Sequence, residues 1–298
     1  MTAFLRHLRS RIGGLFWGRQ VTTGGLRTWM HEPLVRQRIN ASIAGSEDIW
    51  PTDWLRDQLG GRTLAQGVSL GCGDGALERD LVRKGICKRI VGIDISTRAI
   101  EKATRLAAEE GLEGITYRRA DLNTADLGDQ VFDGAFFHQS LHHVEDLEHC
   151  LRAVERALRP GSPVYLDEYV GPSRSEWRRE VLADAEAVFQ SLPREVRRRS
   201  RLQLPVDWRD PTEAIRSSEI VAAVESTFDV VARRDYGGNF LSVIYPHLDL
   251  RSVEPSHRLE LIDFLLDAEA DHLRIGHESY YVVILARVRE RPESELRD

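Results

Sequence analysis

Two adjacent imidazoles, His142 and His143, stand near His138 and Glu145 in the segment 138–145. A neutral imidazole takes up a proton near pH 7, so His142 or His143 can serve as a general base toward a hydroxyl. Asp167, Glu168 and Tyr169 close a later apolar run, and Glu168 joins the two histidines as the third candidate catalytic residue. His138, His142, His143 and Glu145 are also spaced to offer donors to a metal ion. The reading adopted assigns His142 and His143 to catalysis and places no metal. A second feature is Gly71-Cys72-Gly73-Asp74-Gly75, set between the apolar run Val68-Ser69-Leu70 and a helical segment beginning at Ala76. Glycines there let the backbone turn tightly and approach a ligand closely. Asp94, followed by Ile95, ends the next strand, where an acid can bind ribose hydroxyls. Asp121, beside Leu122 and just past the third strand, can accept from an adenine amino group. Each residue alone is equally well explained as a turn glycine, a helix cap or a solvated acid. Together, at the ends of three successive strands, they converge on one crevice.

These residues need a scaffold that brings strand ends together. From Gly67 the chain alternates apolar runs and helical segments: Val68–Leu70, Ala76–Lys84, Arg89–Asp94, Thr97–Glu110, Ile115–Arg118, Phe132–Phe137, Leu147–Leu158 and Pro163–Glu168. Ser96 caps the second helix and Gly111 stops it. Such alternation predicts a doubly wound, Rossmann-like α/β fold, with a parallel sheet covered by helices on both faces. Residues 173–225 read as mainly helical, interrupted by Pro193, Pro205 and Pro211. Phe228–Arg233 and Ser279–Val288 are strand-like and flank a helical insertion at 254–275, so an antiparallel hairpin should finish a seven-stranded sheet. Four parts follow: an N-terminal helical segment or lid (1–55), a cofactor-binding core (56–172), a helical acceptor-site insertion (173–225) and the C-terminal part of the core (226–298).

Composition narrows the function. Apolar residues make up 42% and charged residues 30%, as in a water-soluble globular protein. The net charge of -6 gives no overall attraction to nucleic acid. Arg194–Arg201 is rich in arginine but lacks interleaved aromatics, so a solvated helix face accounts for it better than an RNA site. Cys72, Cys87 and Cys150 are widely spaced, which fits a reducing, cytoplasmic compartment. No apolar stretch reaches the length of a membrane span. Residues 1–20 carry Arg6, Arg9, Arg11 and Arg19 with Phe4, Leu5, Leu8, Ile12, Leu15 and Phe16 at helical spacing. That segment is either a helix covering the active site or a peripheral membrane contact.

The glycine loop, Asp94, the Asp121-Leu122 pair and the run from Phe132 to Val144 resemble the class I S-adenosylmethionine-dependent methyltransferases over roughly residues 60–170. The resemblance implies S-adenosylmethionine as cofactor, bound by Gly71, Cys72, Gly73, Gly75, Asp94, Ile95, Asp121, Leu122 and His138. The family's sheet also ends in an antiparallel hairpin. Ser69 departs from the pattern, because many members have an acid there near the cofactor's amino group. A group from the segment Trp29–Asn40 is the expected substitute. The segments Asp210–Ser217 and Asp235–Asn239 resemble a bacterial subgroup linked to polysaccharide and glycoconjugate pathways. That likeness points to O-methylation of a small-molecule or glycan hydroxyl, and the side chains of Arg174, Trp177, Arg178, Glu213, Arg216 and Tyr236 are the candidates to bind a polar, hydroxyl-rich or acidic acceptor. Glu213 and Arg216 would equally make a surface i,i+3 pair. The alternatives are an N- or carboxyl-methyltransferase on the same scaffold, an NAD(P)-dependent dehydrogenase, since Gly71-x-Gly73-x-x-Ala76 also fits the dinucleotide fingerprint, and a catalytically silent cofactor-binding module. The oligomeric state is open.

Overall fold

Short apolar runs that stop at glycine or aspartate build the sheet in this computed structural model, which describes residues 3–22, 28–207, 209–251 and 253–290. The strands are β1 (Gly67–Leu70), β2 (Ile90–Asp94), β3 (Ile115–Arg119), β4 (Gly134–His138), β5 (Pro163–Tyr169), β6 (Asp229–Gly237) and β7 (Tyr281–Arg287). Their spatial order is β3-β2-β1-β4-β5-β7-β6. The first five run parallel, and β7 lies antiparallel between β5 and β6. Every residue of β1 and β5 is buried, as expected of central strands covered on both faces, whereas edge strand β3 is half exposed. The expected seven-stranded sheet with its antiparallel finish is therefore present.

The helices are α1 (Ala3–Thr22), α2 (Pro33–Ala44), α3 (Pro51–Gln58), α4 (Ala76–Arg83), α5 (Thr97–Glu109), α6 (Leu147–Ala157), α7 (Ala183–Ser191), α8 (Ile220–Thr227), α9 (Leu241–Ile244) and α10 (Pro255–Arg274). Helix α5 starts where the Ser96 hydroxyl accepts from the Ala99 amide at 3.4 Å, and it buries Ala99, Ala103 and Ala107 at spacing i, i+4, i+8. Asp146 caps α6 by accepting from the His149 amide. These caps fix where the loops before α5 and α6 end, and those loops carry the candidate site.

Segment 173–225 is less helical than its composition suggests. Between α7 and α8 the described residues form only short 3-10 turns, at Arg194–Val196 and Ser217–Glu219. The prolines at 193, 205 and 211 remove amide donors and exclude the helical conformation for the residues before them. The arginine run is thus not a helix face. Arg197 instead bridges Leu248 in antiparallel fashion, and the Arg198 amide donates to the His247 carbonyl.

Helix α1 lies across the loops at the carboxyl ends of the parallel strands. Arg6 and Arg9 turn inward to Asp146 and Glu145. Leu5, Leu8, Ile12 and Leu15 face outward. Glycine permits the close approach: a Cβ on Gly18 would stand 2.6 Å from Ser96 Oγ, and one on Gly14 would stand 3.1 Å from Ile95. Among the described residues no helix is long and apolar enough to cross a membrane.

Candidate functional site

The strand order reverses between β1 and β4, and ligands in doubly wound sheets bind in the crevice outside the strand ends at that point. The glycine loop leaves β1 there. Gly71 adopts φ +73°, and a Cβ on it would lie 2.4 Å from that of Ser140, so any larger residue would push the β1 and β4 loops apart. The Asp94 carboxylate accepts from the Gly73 amide at 2.9 Å and the Ser96 amide at 2.7 Å. Burial raises its pKa and those amides oppose the rise. Asp121 accepts from both the amide and the side chain of Asn123 at 3.0 Å. A pinned glycine loop and two acids with remaining acceptor capacity fit an adenosine carrying hydroxyls and an amino group. Cys72 lies in the loop, its thiol pushed up by burial. Ile95 touches α1, and half-buried Leu122 follows Asp121.

Trp29 and Asn40 bound the segment expected to complete the site beside Ser69. Asn40 donates to the Glu47 carbonyl, and Trp29 packs edge-on against Tyr281. Ser69 is instead beside Glu78, in the first turn of α4. Glu78 is fully buried, and neither of its carboxylate oxygens makes a well-formed hydrogen bond among the described residues. Burial pushes its carboxyl up to about 7 against the pull of the Ser69 hydroxyl. Sequence reasoning missed this residue; its signal was an acid three positions after the last loop glycine.

A stability prediction follows from that raised value. A carboxyl that goes from its ordinary value of 4.5 to about 7 takes up a proton on folding. The stability of its neutral form is present below pH 4.5 and is lost as pH rises through about 7. The loss amounts to about 3 kcal/mol at 1.36 kcal/mol per unit. Glu78→Gln should remove this slope, so in urea unfolding without cofactor the variant gains on the parent between pH 5 and pH 8. A stability difference independent of pH would refute the unpaired acid.

Helix α1 roofs the crevice. Ser10 accepts from the Asn123 side chain at 3.2 Å, and Trp17 Nε1 donates to Asp210 Oδ2 at 2.7 Å with its ring edge-on to His143. Trp17→Ala removes a hydrogen bond to a carboxylate, worth about 1.5–3 kcal/mol. Weaker S-adenosylhomocysteine binding and faster tryptic cleavage at Arg11 and Arg19 are expected. Unchanged values for both would mean that α1 does not close the site.

The histidine turn follows β4. Buried Glu168 accepts from the Ser140 and Leu141 amides at 2.6 Å with one oxygen and meets His142 Nδ1 at 2.8 Å with the other. Its oxygens are thereby committed, so Glu168 acts through His142 rather than on a substrate. His142 Nε2 lies 3.9 Å from Glu213 Oε1, and His143 Nε2 lies 3.7 Å from Glu213 Oε2. His143 Nδ1 lies 3.2 Å from Thr212 Oγ1, with Asp210 Oδ2 behind at 3.7 Å. Burial opposes charge on both rings. At His142 the Glu168 bond and charge outweigh it and raise the pKa, whereas at His143 burial and the neighbouring His142 lower it. His138 is exposed, 3.7 Å from Asp167, and Glu145 pairs with Arg9. The metal set suggested by spacing is therefore not assembled.

Of the acceptor candidates, Glu213 alone joins this cluster. Arg216 instead binds Glu148 and Glu219 and makes no i,i+3 pair with Glu213. Arg174 donates to the Asp210 carbonyl and so braces the loop. Tyr236 is buried and donates to Asp167 at 2.6 Å, Trp177 is buried edge-on to Tyr280, and Arg178 is exposed. Asp210 and Thr212 complete the surroundings of His143, and sequence reasoning had noted them only as part of a polar segment.

Sheet order and crevice together define a nucleoside-binding α/β protein whose antiparallel β7 separates it from the all-parallel dinucleotide fold. Residues 68–166 match the family described as Methyltransferase domain. Over that third of the chain the protein carries a methyltransferase domain, and such domains use S-adenosylmethionine as cofactor. A ubiquinone biosynthesis O-methyltransferase of Aeromonas salmonicida is 31% identical over 38% of this chain and 47% of its own length. A sterol 24-C-methyltransferase of Aspergillus fumigatus is 30% identical over 36% of this chain and 29% of its own. The chain thus spans half or less of the length of these relatives. A solved geranyl diphosphate methyltransferase in complex with the cofactor shares the fold, with TM-score 0.51 and 17% identity over 79% of this chain and 83% of that one.

Proposed function

We propose that the protein methylates a hydroxyl group of a small-molecule or glycan acceptor. The observation that carries this reading is the convergence of His142, His143 and Glu213, backed by Glu168 and Asp210, beside the cofactor crevice. Bound S-adenosylmethionine supplies an electrophilic methyl group on a sulfonium, which an acceptor oxygen attacks in line. The chain's own residues have to place that oxygen, exclude water and take its proton. Glu168 locks the His142 ring. His143, held below the usual imidazole range, is neutral at pH 7 and offers a lone pair. Glu213, one-third exposed, sits where an acceptor can reach both. The acceptor's proton would pass to this cluster as its oxygen is methylated.

One wall of the neighbourhood is aromatic. Tyr169 lies 6.1 Å from the His142 ring, and Tyr169, Tyr236 and Trp29 all contact Tyr281. Aromatic faces beside carboxylates suit a ring bearing hydroxyls, sugar or phenol. The O-methyltransferase name of one relative agrees with this acceptor atom. The test is a methyl-transfer screen with labelled cofactor, comparing sugars and phenols with amines and carboxylic acids. Label in ether products supports the reading; label only in amines or esters overturns it.

A further inference from the structure

We propose that His142, His143 and Glu213 form a binding site for a divalent cation of the zinc type, with an acceptor oxygen as fourth ligand. The inference deepens the hydroxyl-acceptor reading and rests on it only for that fourth ligand; cation binding stands on the geometry of the three side chains.

One donor atom each of His142, His143 and Glu213 lies within 4.8 Å of the other two. A tetrahedral zinc ion with bonds of about 2.1 Å places its ligand atoms about 3.4 Å apart. His142 Nε2 stands 3.9 Å from Glu213 Oε1 and His143 Nε2 stands 3.7 Å from Oε2, each a few tenths of an ångström beyond that spacing. Two imidazoles and one carboxylate are the donor set of a catalytic zinc site, which keeps its fourth position for a substrate or water. Mixed nitrogen and oxygen donors favour zinc over magnesium.

The surroundings of the ligands argue further. Metal-binding histidines donate their other ring N–H to a carboxylate or a hydroxyl, which fixes the tautomer and aims the lone pair. His142 Nδ1 has Glu168 at 2.8 Å. His143 Nδ1 has Thr212 Oγ1 at 3.2 Å, and that hydroxyl donates onward to Asp210 Oδ1 at 2.6 Å, so its oxygen is left to accept from the ring. Both Nδ1 positions are thus acceptor-bound, and both Nε2 atoms face Glu213. A main-chain bond from the Ile215 amide to the His142 carbonyl, 3.1 Å, clips the two ligand-bearing segments together.

The cation changes how the acceptor loses its proton. With the ion bound, the imidazoles are ligands, and a hydroxyl coordinated to the ion is acidified and releases its proton to water. Without it, the bare cluster takes the proton.

The experiment is calorimetric titration of the chelator-treated full chain with Zn2+, together with the visible spectrum of the Co2+ form. Expected are one ion per chain and the intense d–d bands of tetrahedral cobalt. Glu213→Gln and His143→Asn should abolish both signals, and Glu168→Gln should weaken binding by roughly 10–100-fold. His272→Ala is the control, because Asp184, His272 and His277 form a second, surface group of donors. Binding that survives Glu213→Gln, or is lost in His272→Ala instead, overturns the proposal, as does the absence of binding. Undiminished methyl transfer by the metal-stripped protein would overturn the ion's part in deprotonating the acceptor and keep the hydroxyl acceptor. A protein that binds the ion but methylates no hydroxyl would keep the site and overturn that reading.

Discussion

Replacing His143 with alanine is expected to lower kcat by roughly 10²–10⁴-fold, the usual contribution of a group that takes the reacting proton. S-adenosylhomocysteine affinity should stay within about threefold, because the ring's nitrogens meet Thr212 and Glu213 rather than the glycine loop. The split between turnover and cofactor binding is the diagnostic quantity. A merely structural histidine would lower thermal stability and both constants together, since its ring packs against Trp17 and His142. Steady-state methylation with labelled cofactor, beside calorimetry of the same variant, separates the two. Unchanged kcat would remove His143 from the chemistry and leave Glu213 as the group to test next.

The parallel half of this sheet is legible in the chain because its signals are local. Val68–Leu70 and Ile90–Asp94 are short apolar runs closed by glycine or acid, and Ser96 and Gly111 punctuate the helix between β2 and β3. The glycine loop and Asp94 are legible for the same reason, since their roles depend on position relative to a strand end. The acceptor side is not. Glu213 reaches His142 and His143 only because Asp210, Thr212 and the Ile215 amide fold a proline-broken segment back onto the β4 loop. No periodicity announces such a contact between residues some seventy positions apart. Arg216 shows the converse, since its sequence distance from Glu213 suggested a pair, yet Glu148 from α6 and Glu219 outcompete it. Glu78 was hidden because an acid in a first helical turn usually serves the helix dipole at the surface, and this one is turned under the loop.

Asp94→Ala should weaken S-adenosylhomocysteine binding by roughly 10–100-fold or more, since hydrogen bonds to a charged group contribute about 1.5–3 kcal/mol. Two effects add. The carboxylate that would accept from ribose hydroxyls is lost, and so is the clamp that holds the Gly73 and Ser96 amides around it. Asp94→Asn tells them apart, because the amide oxygen can still accept from one main-chain N–H while the charge is gone. If the clamp dominates, Asn should recover most of the affinity; if the ribose contact dominates, it should behave nearly as Ala does. Both variants keep the β2 strand pairing, so circular dichroism should report an intact sheet. Full affinity in a folded Asp94→Ala protein would place the cofactor elsewhere than the β1–β4 crevice. It would also break the link between the glycine loop and the histidine cluster, because Ser140, which abuts Gly71, is held by the same Glu168 that orients His142.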